Sequence, residues 1–211
     1  MNDYLPETIL VPLNLNFISD PNYTKFTKNY KSGELWIYKP GEASNRGNGI
    51  RVLNDLSKIE EHIMQEIASN GKNQSRYSNF ILQRYIMNPM LIERRKFDLR
   101  VFALFTAHAE SKMMRGYFYN EGYLRTSCKE YDLTKVDNRL IHLTNDAVQK
   151  FSADYGKYES SNKLSYAEFE KIVSKEKNVS FYGDILPKIK SMVTDVFNSV
   201  GENLYMPHSK Y

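Results

Sequence analysis

In the string "RRKFDLRVF", residues 94–102, charged and apolar side chains alternate: Lys96, Asp98 and Arg100 interleave with Phe97, Leu99 and Val101. A strand turns successive side chains to opposite faces, so this spacing puts two cations and an aspartate on one face. Such a face can grip a polyphosphate through its cations while the aspartate holds their geometry or a ribose. The same pattern also suits a solvated sheet face. A second candidate is "ELWIYKPGEASNRGNGIRVL", residues 34–53, where Lys39 ends an apolar run just before Gly41, Gly47 and Gly49. The lysine precedes the glycines, so this is no Walker loop, and Val52 stands where a dinucleotide fingerprint needs its third glycine. What remains is a glycine loop whose backbone N–H groups can close over an anion beside a fixed cation, or an ordinary glycine hairpin.

Three further strings carry polar groups in suggestive places. "FILQRYIMNP" (80–89) reads as a strand leading into a loop, where Gln83 and the backbone could hydrogen-bond a purine edge; a core strand with one surface arginine fits equally. In "YLRTS", Arg125 can clamp a carboxylate with two prongs and shares a face with Tyr117, Tyr119 and Tyr123, although a surface arginine has the same sequence. "HLTND" (142–146) offers hydroxyl and amide groups before a short helix-like run, with Thr144 or Asn145 as its cap. A helix start also attracts phosphate. His142 reads as a structural polar residue, and the histidines at 62, 108, 142 and 208 lack any zinc spacing.

The elements that must position these groups follow from periodicity. Residues 35–39 and 50–53 read as strands flanking the glycine loop. Asn54 is placed to cap a helix with Leu56, Ile59, Ile63, Met64 and Ile67 on one face, ended by Gly71. Residues 80–87 read as a buried strand and about 96–107 as a long one. The stretches 113–119 and 123–127 read as a hairpin around the turn Asn120-Glu121-Gly122. Ser165-x-x-Glu168 is a capping box opening a helix. A second helical stripe occupies 185–200, with Pro187 disturbing its first turn, and the tail after Val200 reads as loop.

The bulk numbers set limits. A chain of 211 residues with 41% apolar content can bury a real core as one large domain or two small ones. No apolar run is long enough for a membrane span, and the N-terminus lacks the cationic flank of a signal peptide. Cys128 is the single cysteine, which removes an intramolecular disulfide and a thiolate metal cluster and makes a reducing compartment the default. Net charge is +4, too small to claim nucleic acid, and no aromatic strand pattern suits RNA. Charge is nonetheless concentrated: Arg84, Arg94, Arg95, Lys96 and Arg100 against Glu93 and Asp98 give 5 − 2 = +3 within residues 84–100. An acidic or phosphorylated ligand suits that stretch.

In their order along the chain, "LWIYKPGEASNRGNGI", "FILQRYI", "RRKFDLRVF", "GYLRTS" and "IHLTNDAVQKFSADYGKYE" resemble the tubulin–tyrosine ligase family over most of residues 4–175. The run after "HLTND" looks more like the tyrosine ligase itself than like polyglutamylating members. The resemblance implies an α+β chain, an incomplete ATP-grasp fold with antiparallel sheets and flanking helices. Residues 1–79 would form the first subdomain, with a phosphate flap at 41–49 that is mobile without nucleotide, and 80–211 a truncated second one. It implies ATP and Mg2+ as cofactors, and ligation of a free amino acid (tyrosine, glutamate or glycine) to the acidic C-terminal tail of tubulin. The place of action would be the cytoplasm, on the microtubule cytoskeleton or in a cilium, with no nucleic acid or membrane partner.

By the same matching, Lys39, Gly47, Gly49 and Ile50 would meet the phosphates, and Gln83, Arg84, Tyr85 and Ile86 would border the adenine. Lys96, Asp98, Thr144 and Asn145 would face the nucleotide. Arg100 would be the catalytic cation at the phosphate or the acidic tail, Arg125 would take the amino-acid carboxylate, and Arg94, Arg95 and Lys163 would hold the tail. Arg94 and Arg95 are both expected in a loop. The family's magnesium-holding E-x-N strand is expected beyond Tyr211, so no metal ligand is assigned; Glu176-Lys177-Asn178 matches that motif by chance. The family's N-terminal domain is missing as well, which makes the chain read as a fragment. A small-molecule ATP-grasp ligase and a non-catalytic tail-binding module are the rival readings.

Overall fold

The computed structural model describes residues 4–42, 45–70, 77–108 and 113–204. The chain forms two compact units, one made of Asn2–Lys96 with Ser127–Asn162, the other mainly of Phe97–Thr126 with Lys163–Tyr211. A boundary at 79/80 would cut a strand of the first unit, because β4 begins at Asn79.

In the first unit, β1 (Thr8–Pro12), β2 (Trp36–Pro40), β3 (Arg51–Leu53) and β4 (Asn79–Arg84) make an antiparallel sheet in the order β1-β4-β2-β3. Trp36 faces Leu53 across β2 and β3, and Lys39 faces Ile81 across β2 and β4. The glycine loop is therefore the connection of a true hairpin. Two helices cover the sheet, α1 (Pro21–Asn29) and α2 (Leu56–Asn70), and between them lie Phe17, Phe26, Trp36, Ile59, Ile63 and Phe80. The start of α1 is chemically specified: the Asp20 side chain accepts from the backbone N–H groups of Asn22 and Tyr23, and Pro21 supplies a fixed first φ. At α2 the capping acceptor is Asp55, not Asn54, since its carboxylate takes the N–H groups of Ser57 and Lys58. The expected stop at Gly71 lies outside the described residues.

A second sheet has the order β5-β6-β7-β8, with β5 (Leu91–Ile92), β6 (Arg95–Ala107), β7 (Met114–Glu130) and β8 (Lys163–Ser165). Glu93 and Arg94, both at positive φ, form the two-residue turn that pairs Ile92 with Arg95. The expected hairpin at 120–122 does not exist. β7 runs unbroken through Asn120-Glu121-Gly122 and pairs with β8 at Tyr123–Arg125. Gly122 is there for space: a Cβ would collide with the Tyr166 hydroxyl and the Arg100 carbonyl.

In the second unit, α5 (Tyr166–Lys177) opens with the full capping box, Ser165 and Glu168 each bonding the other's backbone N–H. Its Phe169 meets Phe97 at 5.2 Å between ring centres. α6 (Leu186–Leu204) carries Phe197, stacked on Phe105 at 4.6 Å, and tolerates Pro187 in its first turn. Helix therefore extends past Val200, where the sequence reads as loop. Between α3 (Arg139–His142) and α4 (Asp146–Gln149) of the first unit lies the polar string from Leu143 to Asn145. No helix among the described residues is long and apolar enough to cross a membrane.

Candidate functional site

Lys39 sits half-buried at the end of β2, its ammonium donating to Gln83 Oε1 at 2.6 Å, while Gln83 donates onward to Thr8 Oγ1 at 2.8 Å. Among the described residues it makes no ion pair with a carboxylate. Burial lowers its pKa from the ordinary 10.5, the mark of a cation short of anionic company.

The glycine loop beside it is pinned. Gly47 and Gly49 have φ of +80° and +71°, a region that side chains avoid. A Cβ at Gly47 would come within 3.1 Å of Asn145 Oδ1, and one at Gly49 within 2.7 Å of the Pro40 ring. Arg139 donates to the Gly47 carbonyl at 2.6 Å, and Gly47 is buried. The loop therefore rests on the segment that carries Asn145 and Val148, rather than lacking packed contacts. Ile50 and Arg139 line a cavity of about 10 Å³ with His142, room for one water. Glu42 holds the other end of the loop through its bonds to Ser78, and residues 43–44 lie outside the described residues.

Thr144 is buried and Asn145 precedes α4, but the expected side-chain cap is not made there. The cap found nearby belongs to Asn138, whose side chain accepts from Leu140 N–H. The Asn145 amide lies against Gly47 instead.

At the end of β4 the four expected adenine contacts diverge. Gln83 holds Lys39. Arg84 spans Glu7 and Glu34 at 2.7 and 2.6 Å and lies over the Trp36 ring, a structural clamp. Tyr85 is buried, with its hydroxyl 2.8 Å from His142 Nδ1. The Ile86 side chain is exposed, and its carbonyl accepts from Tyr131 Oη at 3.3 Å. Lys96 enters the same cluster, donating to Tyr85 Oη at 3.1 Å and to the His142 carbonyl at 3.0 Å. Tyr85, Lys96 and His142 are thus brought together with no periodic signal linking them; Arg139, which no sequence signal singles out, stands one turn before His142 on α3.

Arg94 and Arg95 do not share a loop. Arg94 is at the β5–β6 turn, 80% exposed, paired with Glu130 at 3.1 Å. Arg95 is the first residue of β6, and its side chain is 1% exposed. It bonds Glu159 through both terminal nitrogens, at 3.0 and 2.5 Å, as well as Glu93 and the Ser127 carbonyl. The strand register turns it inward, so it is committed to Glu159 and closed to a ligand in solvent.

In the second unit, Asp98 receives Arg125 in two-pronged fashion at 2.7 to 3.2 Å, with Arg100 Nε at 3.8 Å. The carboxylate expected to face a nucleotide thus orders the two arginines expected to face anions. Lys163 stands opposite Arg125 in the β7–β8 register, its ammonium 5.9 Å from the centre of the Tyr123 ring. Glu176-Lys177-Asn178 is the end of α5, with Asn178 as its left-handed cap. Among the described residues no group of three or more His, Cys, Asp and Glu could hold a metal ion.

Residues 8–209 match the sequence profile of the tubulin-tyrosine ligase family. The chain is 33% identical over 166 residues to "Tubulin glycylase 3B" of Tetrahymena thermophila, which covers 78% of this chain and 13% of that protein. It is 32% identical over 163 residues to "Probable alpha-tubulin polyglutamylase Ttll1" of the same organism, 72% of this chain and 35% of that protein. The human "Probable tubulin polyglutamylase TTLL2" is 33% identical over 151 residues, 68% of this chain and 22% of that protein. The chain thus spans between 13% and 35% of the length of these relatives.

Proposed function

The chain belongs to the tubulin-tyrosine ligase family, and from that premise we propose that it carries part of an ATP-dependent ligase of ATP-grasp fold. The ligase joins an amino acid to the acidic C-terminal tail of tubulin. The observation that carries the reading is Lys39: a half-buried ammonium beside a structured glycine loop, with a neutral amide as its partner and a pKa lowered by burial. A phosphate chain would give such a cation the anionic partner that offsets its lost solvation. ATP would supply the phosphoryl group that turns a tail carboxylate into a target for an amine.

The chain's own residues then bind and orient. Lys39, Gly47, Gly49 and Ile50 hold the phosphates, Lys96 adds a second cation, and Thr144 and Asn145 back the loop. The exposed Ile86, just past β4, borders the base. Arg100 neutralises charge at the reacting group, Arg125 takes the free amino acid's carboxylate, and Lys163 and Arg94 attract the tail. Catalysis of this kind rests on positioning and charge neutralisation. The described residues do not fit magnesium, because Asp98 is taken up by Arg125 and no set of carboxylates surrounds it. No step is assigned to the ion.

The relatives' names, a glycylase and two polyglutamylases, support glycine and glutamate as the leading added residues, with tyrosine as the alternative, and we read the microtubule cytoskeleton or a cilium as the place of action. The test is incorporation of radiolabelled glycine, glutamate or tyrosine into tubulin, with and without ATP. A parallel sample uses tubulin stripped of its acidic tails by limited proteolysis. Label is expected only with ATP and intact tails, and Lys39→Ala is expected to abolish it. Equal label on stripped tubulin would sink the tail as substrate.

A further inference from the structure

Tyr85 directly follows β4, Lys96 lies on β6 and His142 on α3, and their hydrogen bonds have a fixed direction. His142 Nε2 lies 3.1 Å from the Lys135 carbonyl, which can only accept, so Nε2 carries the ring proton. The ring is buried, and burial, its largest influence, with the nearby Lys96 charge, keeps it neutral. Nδ1 is then an acceptor, and the Tyr85 hydroxyl 2.8 Å away must donate to it. Burial also pushes the Tyr85 hydroxyl well above its ordinary pKa, so its proton stays in place. With that proton directed at His142, Tyr85 Oη can accept from the Lys96 ammonium at 3.1 Å, with the Tyr131 hydroxyl beside it. The His142 carbonyl takes another ammonium N–H at 3.0 Å. One histidine thus steers the lysine twice, through its ring by way of Tyr85 and through its own carbonyl.

We propose that Tyr85 and His142 are positioning residues that fix the direction of the Lys96 ammonium for an anionic group of the bound nucleotide. The inference rests on the reading of Lys96 as a nucleotide contact. A lysine side chain has four rotatable bonds and loses much freedom when it must meet a ligand, so a head group oriented beforehand binds more tightly. The sheet supports the arrangement: Tyr85 N–H donates to the Leu35 carbonyl at 2.9 Å, and the Tyr131 ring stands edge-on to His142.

The experiment combines nitrogen-15 NMR of the whole chain with binding of the fluorescent analogue mant-ATP. In the unsubstituted chain, His142 is expected to show a protonated Nε2 and a bare Nδ1, and the Lys96 ammonium slow proton exchange. Tyr85→Phe keeps the ring and removes one hydroxyl. It is expected to speed Lys96 exchange and weaken mant-ATP binding about fivefold, the effect of one net hydrogen bond. Lys96→Ala is expected to weaken it at least as much. His142 protonated on Nδ1 in the unsubstituted chain overturns the proposal with no variant needed. Unchanged affinity in Tyr85→Phe, with weakening in Lys96→Ala, overturns the positioning role and leaves the nucleotide contact standing. If mant-ATP does not bind, or Lys96→Ala binds it as well as the unsubstituted chain, the nucleotide contact fails and the positioning role falls with it.

Discussion

Two adjacent arginines divide the labour at residue scale. Arg95 is 1% exposed against Glu159 at 8%, and its guanidinium also lies 4.1 Å from the Tyr158 ring centre. Removing one partner of such a pair strands the other's charge in a poorly solvated place, which costs about 3–5 kcal/mol. Arg95→Met is therefore expected to lower the urea-unfolding free energy by about that amount, and the double change with Glu159→Leu to recover most of it. Arg94→Ala, which loses only an exposed pair with Glu130, is expected to change stability by less than about 1 kcal/mol. If both single changes cost the same, the assignment of inside and outside is wrong. Sequence could not separate the two residues, because "ERRK" has the same composition whichever arginine begins the strand. The positive φ of Glu93 and Arg94 decides it by closing a two-residue turn.

The misread elements share one cause. Asn120-Glu121-Gly122 has turn composition, yet β7 passes straight through it, since pairing with β8 and the packing of Tyr166 reward an extended backbone. Gly122→Ala is expected to destabilise the chain by about 1–3 kcal/mol. Tyr166→Phe added to it is expected to restore only part, because the Arg100 carbonyl still blocks the new methyl. Thermal unfolding of the single and double variants measures this, and a neutral Gly122→Ala would contradict the close approach. Elements with signals on neighbouring residues are legible in the sequence: the Ser165 capping box, the α2 stripe of Leu56, Ile59, Ile63 and Ile67 (but not Met64, which is exposed) and the β2–β3 hairpin. α1 carries such a signal in Asp20-Pro21.

At the scale of the whole molecule, protonation sets the acid limit of stability. Burial lowers the pKa of His142 and His62 from the ordinary 6.5. As pH falls below that value the unfolded chain takes up these protons first, so stability is full above about pH 6.5 and falls towards the lowered folded values. Glu34, held by the Arg84 guanidinium against the opposing effect of burial, and Glu168, bonded by Ser165, have lowered pKa values. They act the same way in a lower window, below the ordinary 4.5. Urea midpoints are therefore expected to drop between pH 7.5 and 5.5 and again by 3.5; a flat profile over the first interval would show that the histidines titrate freely. Sequence by itself determined the family, through strings such as "KFDLR" and "HLTND", and the elements whose signals lie within a few residues of one another. Only the tertiary structure decided which polar groups meet. Tyr85 and His142 are 57 residues apart, and Arg95 and Glu159 are 64. Periodicity assigns a side chain to a face; its partner depends on sheet register and on which segment packs there, and neither is written in local spacing.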